Sequence, residues 1–327
     1  MAGKYLVLAG YGWSGSGAVV DLLKEFSNVV APDVEFRLIK DPYGLDQLRS
    51  ILFEKWDYIN ASIAIKDYLW LCESCAAKST KWQSGLDYQH RLCEDFMEVS
   101  MSFVDSITSF RYDSYSFTSD FKLRGMPRIK KKAIRKIKKW MGGPVRRVLW
   151  DEADCFSKPS LDTFMDGVHV YIDRLFGEAV TEGKVILLDQ AVSPVHPESL
   201  DLLGDAKMIV VDRDPLDIYV DLIESGGLIG ADLAETRDAA KYVEWHNSIR
   251  SDFKEHDDVL LLQFEDFVEN FSRVKEEILD FISWDLGNHT PYTYFFPLES
   301  QKNIGRFRTL CSKEEIEIIR EGTKGAF

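Results

Sequence analysis

The sequence predicts an α/β protein: a parallel sheet with helices on both faces, interrupted by a large, mainly helical insertion. Three observations predict it. First, Tyr5 to Ala9 is an apolar run of strand length, and Ala18, Val19, Leu22, Leu23 and Phe26 then recur at helical spacing. Second, strand-length apolar runs return at Val185–Leu188, Lys207–Val211 and Val259–Leu262, with a helical stretch over Ala239–Phe253 between the last two. Strands alternating with helices imply parallel pairing with helices covering the sheet. Third, residues 41–180 read mostly helical, with a loop-rich stretch around Ser106–Ser119, and residues 272–284 form a further amphipathic helix through Val274, Ile278, Phe281 and Ile282. The predicted organisation is a core of residues 1–40 and 181–327, with residues 41–180 inserted into it.

Between the first strand and the first helix stand Gly10, Gly12, Gly15 and Gly17, with Trp13, Ser14 and Ser16 among them. Glycine lets backbone approach an anion, and the free N–H groups and dipole of a helix N-terminus favour negative charge there. The loop therefore predicts a cradle for a phosphorylated ligand. Gly10 and Gly15 have P-loop spacing, but Ser16 stands where the phosphate-binding lysine belongs. Gly10, Gly12 and Gly15 also satisfy the dinucleotide pattern, with Asp33 following, but Val19 replaces the small residue that packs helix on strand.

The rest of the chain points to a third reading. The Lys207 strand ends in Asp-Arg213-Asp-Pro-Leu-Asp217, the Val259 strand runs into Gln-Phe264-Glu-Asp-Phe267, and Lys302-Asn-Ile-Gly305-Arg306-Phe-Arg308 lies near the end. Together with the first loop, and in this order, these segments resemble the sulfotransferases that use 3'-phosphoadenosine 5'-phosphosulfate (PAPS), here of the bacterial type. The resemblance covers about the first 40 and the last 145 residues. It implies a P-loop NTPase-like sheet and direct, in-line transfer of a sulfuryl group from PAPS to a hydroxyl, without a metal. It implies that Gly12, Trp13, Ser14, Gly15, Ser16 and Gly17 hold the 5'-phosphosulfate. Arg213, Lys302, Gly305 and Arg306 would lie on the 3'-phosphate side. Two positions depart from the family pattern. Trp13 stands where a lysine or arginine is usual, and Asp221 where a serine usually meets the 3'-phosphate. A carboxylate beside a phosphate is unfavourable unless a cation intervenes.

Sulfuryl transfer needs a base for the acceptor proton and cations for charge developing on the donor. Glu35, about twenty residues after the loop, with Arg37 close behind, resembles the base and arginine of the tyrosylprotein sulfotransferases. Asp189, at the end of a predicted strand, is the second candidate. Arg37, Lys40 or Arg306 could replace the charge that Trp13 lacks. Two further classes stay open: a P-loop phosphotransferase without its lysine, and a nucleotide-binding protein without transferase activity.

A net charge of −14 argues against a general nucleic-acid binder. The N-terminal apolar stretch is the first strand and carries no signal-peptide pattern. Five cysteines, an odd number, suggest a reducing compartment, so a cytoplasmic protein is expected, with peripheral contact at the inner face of a membrane also in view. From Lys122 to Arg147 there are twelve basic residues and no acidic one, leaving a net −26 on the remainder. Within it Ile129, Ala133, Ile134, Ile137, Trp140 and Met141 fall on one helical face. Such a helix over residues 128–141 fits an anionic membrane, an anionic acceptor polymer or plain packing on the domain. The insertion is the natural place for acceptor recognition, and a glycan or lipid-linked glycan is the expected acceptor. Cys72, Cys75, His90 and Cys93 have zinc-ligand types but sit among packing residues, so they are left outside the predicted site.

Overall fold

The computed structural model describes residues 3–81, 83–114, 123–142 and 152–324. Its main sheet contains β1 (Lys4–Gly10), β2 (Val29–Val30), β5 (Val185–Asp189), β6 (Asp205–Asp212) and β7 (Val259–Gln263), in the order β2-β5-β1-β6-β7. Every pairing in it is parallel. The remaining strands, β3 (Phe110–Ser114) and β4 (Glu152–Phe156), form a separate antiparallel ribbon.

The central strand shows why the sheet needs cover on both sides. Tyr5 to Ala9 are all buried, as a strand between two helical layers must be. Its side chains alternate. Tyr5, Val7 and Ala9 join Ile186, Leu188, Met208 and Val210 in a core shared with the helices Leu45–Phe53, Tyr58–Ala76, Phe96–Ser106 and Leu161–Thr181. Leu6 and Leu8 face the other way, onto Val19, Leu22 and Leu23 of helix Ser16–Lys24 and onto Val274, Ile278 and Ile282 of helix Phe271–Ile282. The four helices Leu45–Phe53, Tyr58–Ala76, Phe96–Ser106 and Leu161–Thr181 thus cover one face, as their apolar periodicity predicts.

Of the loop-rich stretch Ser106–Ser119, residues 115–119 lie outside the described residues, and Phe110–Ser114 pairs as β3 rather than forming a loop. Its partner lies some 40 residues on in sequence, and the Phe110 and Phe156 rings stack across the ribbon at 4.9 Å. That contact is non-local and leaves no periodic signal.

Strand order places the site. From β1 the chain passes to β2 and β5 on one side, then crosses to β6 and β7 on the other. Loops after neighbouring strands diverge at such a switch point, opening a crevice beyond the carboxyl ends. The glycine-rich loop after β1 lies there. A second anchor sits at the far end of helix Ser16–Lys24. Glu25 is buried, and its Oε1 accepts from the N–H groups of Thr293, Tyr294 and Phe295 at 2.8, 3.0 and 3.0 Å. Burial alone would raise this carboxyl, but those N–H groups and the His289 ring hold it below its ordinary value. The C-terminal segment is fixed by this bond set as it runs toward Asn303–Arg306.

Candidate active site

The loop Gly10–Gly17 is shaped by three left-handed residues: Gly12, Trp13 and Gly15, with φ of +88°, +52° and +85°. Gly15 is required twice over. Its φ disfavours a side chain, and a Cβ there would lie 2.4 Å from the Phe264 ring. The Ser14 side chain turns inward, close enough that a Cβ on Gly10 would meet its Oγ at 2.1 Å. Helix Ser16–Lys24 begins at Gly15 with no side chain capping its N-terminus and no acidic residue in its first turn. Its free N–H groups therefore remain open to an anion.

The loop forms one wall of a cavity of about 940 Å³, whose other walls include Glu35, Arg37, Lys40, Asp189, Gln190 and Trp245. Three of the predicted chemical residues, Glu35, Arg37 and Asp189, therefore share a cavity with Ser14 and Ser16. Arg37 is held between Glu35 at 2.5 Å and Asp41 at 3.0 Å. Glu35 is half exposed, whereas Asp189 is largely enclosed, and its Oδ1 has no hydrogen-bond partner among the described residues. Burial, and then the negative charge of Glu35, raise the Asp189 carboxyl above its ordinary value. Burial lowers the Lys40 ammonium, which donates to Gln190 Oε1 at 3.1 Å. Gln190, itself left-handed at φ +57°, donates from Nε2 to Ser16 Oγ at 3.4 Å. It thereby ties the end of β5 to the loop. Sequence reading passed over Gln190, although its place beside Asp189 at a strand end was a usable signal. It also passed over Trp245, which sits on a helix with no motif around it.

The second group of predicted residues lies on the β6 side, outside the lining of that cavity. Arg213 is almost fully buried beneath the loop. Its Nη1 donates to the Trp13 carbonyl at 3.1 Å and to Asp221 Oδ2 at 2.6 Å, and its Nη2 donates to the Asn303 carbonyl at 2.6 Å. The other oxygen of Asp221 pairs with Arg306, whose Nη2 also reaches Glu224 at 2.5 Å. Asp221 is therefore clamped between two guanidinium groups. Gly305, at φ +76°, donates its N–H to Asp217 Oδ2 at 2.6 Å, which fixes the turn presenting Arg306. Lys302 stands apart: it is exposed and its ammonium pairs with Glu299 at 2.5 Å.

The loop after β1 is also braced from beneath. Arg250 and Asp212 form a fully buried, two-pronged ion pair at 2.7 and 3.1 Å, and the Arg250 guanidinium lies 4.4 Å from the Tyr11 ring centroid. No motif announced this pair. Of the zinc-type residues, Cys72 and Cys75 are buried, and burial pushes their thiols up to about 11 and about 12. His90 bonds to Asp87 at 2.7 Å. Among the described residues no group of three or more His, Cys, Asp or Glu side chains could hold a metal ion. No described helix is long and apolar enough to cross a membrane.

No protein-family model matches the chain, and no curated protein matches it. Among solved structures, the chain is similar to the sulfotransferase domain of the Synechococcus PCC 7002 olefin synthase. The identity is 15%, the match covers 99% of this chain and 94% of that one, and the TM-score is 0.41. It is also similar to the sulfotransferase domain from the curacin biosynthetic pathway, with 11% identity, 89% and 76% coverage and a TM-score of 0.37. A third likeness is to sulfotransferase STF9 from Mycobacterium avium, with 11% identity, 99% and 76% coverage and a TM-score of 0.37.

Proposed function

We propose that this chain is a sulfotransferase that moves a sulfuryl group from PAPS to a hydroxyl of a glycan or lipid-linked glycan. One observation carries the reading. An uncapped helix N-terminus and a glycine–serine loop, with no lysine at Ser16, open at the sheet's switch point into a cavity holding both cations and carboxylates. A nucleoside triphosphate would find no lysine in this loop, whereas a phosphosulfate needs only the N–H groups and hydroxyls it offers. In the reaction the acceptor oxygen attacks sulfur, its proton passes to a carboxylate, and the bond from sulfur to the bridging phosphate oxygen breaks. Glu35 takes the proton, because it is half exposed in the cavity and Arg37 orients it. Asp189 and Lys40 set the charge of the wall behind it. Arg37 and Lys40 supply the positive charge absent at Trp13.

The acceptor reading draws on the same cavity. Trp13 and Trp245 offer flat apolar faces, and Glu35, Asp41 and Asp252 offer hydroxyl acceptors, the pairing of surfaces that a sugar ring presents. The core of residues 1–40 and 181–327 would bind the donor and line most of this cavity, and residues 41–180, which reach it through Asp41, would add acceptor recognition. Five free cysteines fit a cytoplasmic setting, where PAPS is made. A second reading, a nucleotide-binding protein without transferase activity, is favoured by the engagement of Arg213 and Arg306 with Asp221. The test is release of adenosine 3',5'-bisphosphate from PAPS in the presence of glycan and lipid-linked glycan acceptors. Acceptor-dependent release supports transfer. Tight nucleotide binding without release under any acceptor favours the second reading.

A further inference from the structure

The helix Met126–Trp140 differs from the other described helices. Its apolar side chains do not enter a core: Ile129, Ile137 and Trp140 are 60%, 56% and 88% exposed, and Met126 and Met141 are exposed as well. Helical spacing puts Met126, Ile129, Ala133, Ile137 and Trp140 on one face. Arg128, Lys132 and Lys139 lie on the opposite face, and Lys130 and Lys136 flank the apolar row. The segment from Lys122 to Arg147 has no acidic residue, while the rest of the chain carries −26.

We propose that this helix docks the protein on the surface of an anionic lipid bilayer, lying in the plane of the headgroups. The proposal rests on the helix alone and not on the reading of the cavity. A dissolved polyanion would neutralise the lysines but leave the apolar row in water. A symmetric pairing of two copies through this face would bring two strongly basic helices together. A bilayer surface meets both needs, with acyl chains beneath the isoleucines and tryptophan and anionic headgroups around the flanking lysines. Fifteen residues span about 22 Å, too short to cross the hydrocarbon core, so the helix lies on the surface. The acidic remainder is repelled by the same surface, which orients the protein helix-down.

The experiment is flotation of the full chain with vesicles of phosphatidylcholine alone and of phosphatidylcholine with an equal share of phosphatidylglycerol. The protein should float with the anionic vesicles, increasingly so at low salt, and stay down with the neutral ones. Joint replacement of Lys130, Lys132, Lys136 and Lys139 by Ala should lower partitioning by up to about a thousandfold. Ile137→Ser with Trp140→Ser should also lower it strongly with all charges kept. Unchanged thermal unfolding of both variants would show that the loss belongs to docking. Failure of the native chain to float overturns the proposal. So does flotation undiminished in the serine variant alongside retention on heparin, which would mark a polymer surface. A dimer that the serine variant dissolves would overturn it too, marking a self-association face.

Discussion

The two halves of the site, one on each side of β1, differ in how their charges are used. On the β5 side, loop N–H groups, Ser16, Lys40 and Asp189 face a large open cavity, and several keep unused bonding capacity. On the β6 side, Arg306 and the two Nη groups of Arg213 are engaged by Asp221, Glu224 and two backbone carbonyls, and only the buried Arg213 Nε has no hydrogen-bond partner among the described residues. The first half is preorganised for something absent from the chain. The second is assembled from the chain itself, and it holds Trp13 and Asn303 in place. A positively charged residue is thus not automatically a ligand residue. Arg213 braces the loop through Trp13 whatever else it contacts, and a phosphate arriving there must compete with Asp221.

Removing the proposed base should have the largest effect. Glu35→Gln keeps shape and hydrogen bonding but cannot accept a proton. Turnover should fall by about 10²–10⁴-fold with nucleotide affinity nearly unchanged, as steady-state rates and a binding titration would show. If Asp189→Asn instead causes the larger fall, the base lies on the buried side. The pH profile separates the two. The Asp189 carboxyl is raised, so it costs stability that builds up as pH rises from the ordinary carboxylate value through its folded-state value. Asp189→Asn should therefore leave thermal stability unchanged in acid and increase it at neutral pH.

Arg213→Ala attacks the closed half. It removes a buried guanidinium from Asp221, Trp13 and Asn303, so stability should drop by about 3–5 kcal/mol, measured by denaturant unfolding. A loss below about 1 kcal/mol would show that Arg213 is not a brace. Asp221→Ser should also lower stability, since it leaves the buried Arg213 without its carboxylate, but it should favour the nucleotide. Freeing both arginines should tighten binding of adenosine 3',5'-bisphosphate by about tenfold, roughly one charge-assisted contact. Weaker binding would mean that Asp221 serves the nucleotide by orienting Arg213.

This contrast was only partly legible in the sequence. The strand-length runs, the glycines and the helical periodicity announced the sheet, the loop and the layers, because each is local. Of the residues lining the cavity, Asp189 was readable from its strand end, where ligands gather in open sheets, and Glu35 and Arg37 from the family resemblance. The pairing of Asp221 with Arg306 was not, because Arg306 lies 85 residues away from it. Nor was the Arg250–Asp212 pair under Tyr11, whose partners have no shared motif. The ribbon strand Phe110–Ser114 was hidden for the same reason, being defined by a partner far along the chain. Local signals reveal elements, while charge compensation is a property of the assembled fold.

The most direct test is a calorimetric titration of the native chain with adenosine 3',5'-bisphosphate, adenosine 5'-phosphate, ATP and NAD. A PAPS site at the loop predicts that the bisphosphate binds at least about tenfold tighter than the 5'-monophosphate, and far tighter than ATP or NAD. Equal affinity for the bisphosphate and the monophosphate would show that no 3'-phosphate is read, and would contradict the account.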